Sequence, residues 1–138
     1  MKKTVMQRMA ETVASYPDRP AMKHKQDNTW IAISWKEYEA QVQTVASALS
    51  KLGLEAGKAV VIIGGNRPEW LLANVGSIYA GGVPAGIYGT CSPDQCMYIA
   101  KHSSAQIAVV EDASQLAKFK EIRSQLPELK AMVLMDGT

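Results

Sequence analysis

The sequence predicts an α/β protein: a mostly parallel, doubly wound sheet with flanking helices, preceded by an N-terminal β-hairpin. Three observations point there. Ala59–Ile63 is a continuous apolar run closed by Gly64-Gly65, as expected of a strand buried on both faces. From that run onward, strand-like segments alternate with helix-period segments, which argues for parallel strands joined by crossover helices. Upstream, residues 21–25 and 29–34 flank the turn residues Gln26-Asp27-Asn28, a hairpin pattern.

Each element has its own signal. Residues 3–15 place Val5, Met6, Met9, Thr12 and Val13 on one helical face, and Pro17 ends the segment. After the hairpin, Ser34 is an N-cap and Glu37, three residues on, completes a capping box. Trp35, Tyr38, Val42, Val45, Ala46, Leu49 and Leu52 then recur at helical spacing, and Gly53 supplies the left-handed stop. Pro68 suits the first turn of the next helix, whose apolar residues are Trp70, Leu71, Val75 and Ile78 before Gly81-Gly82 breaks it. Residues 83–88 read as the second strand. Ser92-Pro93-Asp94-Gln95 combines N-cap, N1 proline and capping-box glutamine, opening a helix to about Lys101. Residues 106–110 form the third strand, and Asp112 with Gln115 caps a helix carrying Leu116, Phe119, Ile122 and Leu126. Residues 131–135 form the last strand. It has no following helix, which predicts incomplete cover or an open edge and a chain truncated on its C-terminal side.

Composition narrows the function. The 138 residues carry 15 Lys and Arg against 13 Asp and Glu, a net charge of +2, with no basic face for nucleic acid. With 47% hydrophobic and 20% charged residues, disordered and collagen-like classes are excluded. The uncharged span 70–93 contains Asn74, Ser77, Gly81-Gly82 and Pro84, so it reads as a buried helix followed by a buried strand rather than a membrane span. Nothing resembles a signal peptide, since Arg8 and Glu11 interrupt the start. The expected compartment is the cytoplasm.

Open parallel sheets bind ligands at the carboxyl ends of their strands, and two loops qualify. In Gly64-Gly65-Asn66-Arg67-Pro68-Glu69-Trp70, Arg67 either meets an anionic group or pairs with a nearby carboxylate. Gly86-Ile87-Tyr88-Gly89-Thr90-Cys91-Ser92-Pro93 brings a glycine and small hydroxyls before a capped helix. That suits a phosphate or pantetheine contact, or equally a plain strand-to-helix turn. Gly53-Leu54-Glu55-Ala56-Gly57-Lys58-Ala59 is one residue short of a Walker loop and has Ala59 where a hydroxyl would hold magnesium. Cys91 and Cys96, with only His24 and His102 elsewhere, do not make a four-ligand zinc site, and His102-Ser103-Ser104 has no nucleophile elbow. No catalytic or metal-ligating residue is assigned.

Three stretches carry a family resemblance. Asn66-Arg67-Pro68-Glu69-Trp70, then Ala80-Gly81-Gly82-Val83-Pro84-Ala85-Gly86-Ile87-Tyr88-Gly89-Thr90-Cys91-Ser92-Pro93, then Tyr98-Ile99-Ala100-Lys101-His102-Ser103 resemble the N-terminal part of the adenylate-forming (AMP-binding) superfamily. The likeness is to long-chain acyl-CoA synthetases in particular. Gln125-Leu126-Pro127-Glu128-Leu129-Lys130-Ala131 resembles their bubblegum-type branch. The resemblance implies that residues 1–138 are the N-terminal portion of the large domain of such an enzyme, truncated before the ATP-binding loop. The parent would activate a long-chain fatty acid with ATP and magnesium to an acyl-adenylate and pass the acyl group to CoA. The family's ATP loop, aromatic-Thr-Glu motif, ribose-binding aspartate and catalytic lysine normally follow this region and are not in this sequence, so this piece is expected to be inactive alone. Gly89 and Thr90 fall on the loop that lies along the CoA path in related synthetases, with Thr90 in place of a family glycine. Some bacterial relatives dimerise through their N-terminal segment, so residues 3–15 are either a docking element for a homodimer or a helix packed on its own core. Peripheral membrane contact stays open. The alternative to this reading is a self-contained α/β nucleotide- or acyl-binding module without catalysis.

Overall fold

A computed structural model describes residues 2–136. The chain begins with helix α1 (Val5–Ser15), closed at its start by a Thr4–Gln7 capping box. Met6, Met9 and Val13 pack onto the same chain, so within the described residues α1 covers its own core, while Val5 points away. Strands β1 (Pro20–Gln26) and β2 (Thr29–Ser34) form an antiparallel two-stranded sheet. Their turn is Asp27-Asn28, both at positive φ, the geometry that matches strand twist in a two-residue hairpin. Met22 and Ile33 face inward against Tyr38 and Val42, and Trp30 on the other face is 67% exposed.

Helix α2 (Trp35–Lys51) starts on the Ser34–Glu37 capping box. It ends at Gly53, whose φ of +93° is the left-handed conformation a side chain would strain. The rest is a four-stranded parallel sheet of β3 (Ala59–Ile63), β4 (Val83–Ile87), β5 (Ala105–Val110) and β6 (Ala131–Leu134), in the spatial order β4-β3-β5-β6. The connections are α3 (Pro68–Tyr79), α4 (Pro93–His102) and α5 (Ala113–Ile122), the last followed by a single 3₁₀ turn, Arg123–Gln125. Every residue of β3 and β5 is buried. One face packs Val60, Ile62, Ile107 and Val109 against Leu49 of α2 and Ala73 of α3. The other packs Val61, Ile63, Ala108 and Val110 against Cys96 and Ala100 of α4 and Phe119 and Ile122 of α5. The sheet is therefore doubly wound, as the apolar runs require.

Several expectations need correction. The strand expected over 83–88 stops at Ile87, and it is an edge strand rather than a buried one. Pro84 cannot donate to a second neighbour, and Val83 is 53% exposed. In α3 the buried face consists of Ala73, Gly76 and Ser77, while Leu71 points to solvent. Leu52, expected on the buried face of α2, is exposed at its C-cap. Strand β6 occupies the other edge, with all four residues half-buried. No helix among the described residues is long and apolar enough to cross a membrane; the span 70–93 is α3, β4 and a turn.

The small face of α3 exists because α2 crosses it closely. A Cβ at Gly76 would lie 2.6 Å from Val45 Cγ1 and 3.0 Å from its Cβ, and Val45 has little rotamer freedom in a helix. Gly76→Ala is therefore expected to lower stability by about 1–2 kcal/mol in denaturant titration, overpacking outweighing the helix propensity gained. In a Val45→Ala background, which removes the 2.6 Å contact with Cγ1 and keeps the 3.0 Å contact with Cβ, the same change is expected to cost less than half as much. An undiminished destabilisation there would mean that a contact other than Val45 Cγ1 is responsible.

Candidate functional site

Strand order decides where a site can form. From β3 the chain crosses to β4 on one side, and from β5 it crosses to β6 on the other. The switch point is thus the crevice between the carboxyl ends of β3 and β5, where open α/β sheets take ligands. Gly64 and Gly65 leave β3 there, and Glu111 and Asp112 leave β5.

That crevice is filled by the chain's own ions. Arg67, the N-cap position of α3, makes a two-pronged pair with Asp136 just beyond β6, Nη2 to Oδ1 at 2.7 Å and Nη1 to Oδ2 at 3.0 Å. Its Nε donates to Glu69 at 2.7 Å, and Nη1 lies 3.7 Å from Glu111 Oε1. The other Glu111 oxygen accepts from the Gly65 N–H at 2.9 Å. A Cβ on Gly64 would stand 3.0 Å from the Glu111 Cβ, so glycine lets the loop lie against β5. Of the two readings of Arg67, the carboxylate pairing holds: one guanidinium faces three carboxylates, a poor seat for a phosphate. Asp136 and then Glu69 raise the Arg67 pKa above its ordinary value. The Arg67 hydrogen bond in turn holds both Asp136 and Glu69 below the usual carboxylate range.

The second loop has a different character. Trp70 lies across Gly86 of β4, where a Cβ would meet the indole at 3.2 Å. The chain then turns tightly, with the Cys91 N–H donating to Tyr88 O at 3.0 Å. This leaves Tyr88 83% exposed, with Gly89 and Thr90 exposed at the middle of the turn. Ser92 and Gln95 close the start of α4 with a complete capping box, so two of the helix's free donors are already used.

The turn is held from α5. Lys118 Nζ donates to the carbonyls of Gly89 and Cys91, both at 2.8 Å, and Gln115 Nε2 donates to Gly89 O at 3.3 Å. The sequence places Gln115 as a cap partner of Asp112. Half of that is right, since Asp112 accepts from the Gln115 N–H at 3.0 Å, but the side chain crosses to Gly89 and leaves its Oε1 buried without a partner. Glu111, Asp136 and Lys118 were not singled out by sequence. Their only signal is position just after a strand, or six residues beyond a cap.

The remaining candidates add no constellation, although the Cys96 thiol lies 3.9 Å from the Cys91 carbonyl. Cys91 and Cys96 are free thiols, and burial raises the Cys96 pKa. His102, at the end of α4, stacks on Tyr98 with ring centres 5.7 Å apart. Among the described residues, no three His, Cys, Asp or Glu side chains are grouped to hold a metal ion.

The Arg67 cluster yields a pH prediction. Asp136 and Glu69 have depressed pKa values in the folded state, so their contribution is present above the unfolded values, near 4, and is lost as pH falls through the folded ones. Arg67→Met is expected to lower Tm at pH 7, with the gap to the parent chain narrowing between about pH 5 and about pH 3. A gap of constant size across that range would show that packing, not charge, is what Arg67 supplies.

Comparison with known proteins adds the family. Residues 9–138 match the AMP-binding enzyme family. The chain is 43% identical over 130 residues to a Xenopus laevis long-chain-fatty-acid–CoA ligase, ACSBG2, a match covering 94% of this chain and 18% of that protein. It is 41% identical over 132 residues to a Bos taurus long-chain-fatty-acid–CoA ligase, ACSBG1, covering 96% and 18%. The chain thus spans about 18% of the length of these relatives. In fold it resembles the N-terminal domain of FACL13 from Mycobacterium tuberculosis, with a TM-score of 0.86 at 17% identity over 98% of this chain and 34% of that one. It also resembles the anthranilate CoA ligase AuaEII solved with anthranoyl-AMP, with a TM-score of 0.81 at 20% identity, covering 92% and 24%. Sequence and backbone converge, and the chain belongs to the AMP-binding enzymes.

Proposed function

We propose that the protein carrying this region is a long-chain fatty acid–CoA ligase, joining a fatty acid to CoA through an acyl-adenylate at the expense of ATP with magnesium. The observation that carries this is the identity of about two residues in five, sustained over nearly the whole chain, with ligases of that name. Within such an enzyme the 138 residues serve as scaffold. Their switch-point crevice does not fit the phosphates of ATP, because Arg67 is committed to Asp136 and Glu69 and the neighbouring Gly65 N–H to Glu111. The same commitment weighs against a self-contained nucleotide-binding module. A CoA arm fits better at Gly89 and Thr90, an exposed turn at the carboxyl end of β4 where a narrow chain can lie against backbone. We assign these two residues to the CoA path, and the protein to the cytoplasm.

Two measurements test this reading. Fatty-acid-dependent ATP–pyrophosphate exchange is expected from the longer protein and not from the 138-residue chain; exchange by the short chain would overturn its scaffold role. In the longer protein, Gly89→Val is expected to slow thioester formation by about tenfold or more and to leave adenylation within about twofold, since misplacement affects only the step whose reactant passes there. Equal losses in both steps would remove Gly89 from the CoA path.

A further inference from the structure

We propose that Lys118, helped by Gln115, is a positioning residue for thioester formation: from α5 it holds the backbone of the Gly89–Cys91 turn in the shape that admits the CoA arm. This rests on the assignment of Gly89 and Thr90 to the CoA path. One ammonium donates to two carbonyls two residues apart, both at 2.8 Å, and the Gln115 amide reinforces the first of them. Apart from the long 3.9 Å contact of Cys96 Sγ with Cys91 O, these are the side-chain bonds that tie the turn to another element, and its own closure is the Cys91 to Tyr88 bond. The turn is otherwise open: Tyr88, Gly89 and Thr90 are all exposed, and a Cβ on Gly89 would meet only Gln115 Nε2, at 3.5 Å. A glycine so placed samples many conformations unless its carbonyl is held. Charge-assisted bonds are the stronger kind, and both ends of this clamp are set by rigid elements. Strand β4 leads into the turn, capped helix α4 leads out of it, and Lys118 stands six residues beyond the Asp112 cap, inside α5. The clamp therefore acts on CoA through backbone placement, and Lys118 itself needs no contact with the reacting atoms.

The test uses the longer protein, with the half-reactions measured separately and amide hydrogen exchange followed over residues 89–91. Lys118→Met is expected to raise the KM for CoA by about tenfold, with pyrophosphate exchange within about twofold and faster exchange of the turn amides. Lys118→Arg, which retains donors for both carbonyls, is expected to recover most of the effect. Lys120→Met, which removes a charge from the same helix with no bond to the turn, serves as the charge control and is expected to match the parent. An unchanged KM for CoA in Lys118→Met overturns the clamp, as does an equal loss in both half-reactions, which would mark general destabilisation. A parent enzyme that forms acyl-adenylate but no thioester overturns the functional reading first, and this inference with it.

Discussion

The architecture of the parallel sheet and its helices follows from the burial of β3 and β5 on both faces. Two adjacent strands without a polar side chain on either surface, apart from Gln106, have to be covered above and below. Gln106 finds its partner outside the core: its Oε1 accepts from the Glu55 N–H at 2.9 Å at the amino end of the sheet. Cover on both faces forces helices onto opposite sides, and a doubly wound sheet has to reverse direction somewhere. Here it reverses between these same two strands, so two fully buried strands lie directly beneath the crevice.

Both loops at the carboxyl end are then held to another part of the chain by a basic side chain. Arg67 ties the β3 loop to the residues after β5 and β6, and Lys118 ties the β4 turn to α5. The two differ in what they grip. Arg67 grips carboxylates, so its hold depends on pH and consumes the charge that a substrate phosphate would need. Lys118 grips backbone carbonyls, which do not titrate, and leaves Gly89 and Thr90 facing outward. One loop is thereby a structural joint and the other an open surface, although both begin with glycine-rich strand ends.

The two sheet edges show a related contrast. Strand β4 is a poor pairing edge because Pro84 lacks an N–H and Gly86 sits under Trp70. Strand β6 is half-buried throughout and is anchored through Lys130, whose N–H donates to Gln106 O and whose Nζ donates to Gly53 O. The start of β6 is thus tied both to β5 and to the turn after α2, which closes the sheet's amino end.

Much of this was written into the sequence in local terms. Capping boxes at Ser34 and Ser92, the cap at Asp112, the Asp27-Asn28 turn, the Gly53 stop and the apolar runs of β3 and β5 are short-range signals, each read from a few neighbouring residues. The resemblance around Asn66–Trp70 and Ala80–Pro93 likewise pointed to the family. What only the tertiary structure decided are choices between partners far apart in the chain. These are the edge position of β4, the small-residue face of α3 set by Val45, the commitment of Arg67 to a carboxylate 69 residues away, and the departure of the Gln115 side chain from its own helix to a carbonyl 26 residues upstream. The physical reason is that caps and periodicity are fixed by covalent neighbourhood, whereas a charge or an amide with several chemically equal partners is assigned only when packing brings one of them within hydrogen-bond reach.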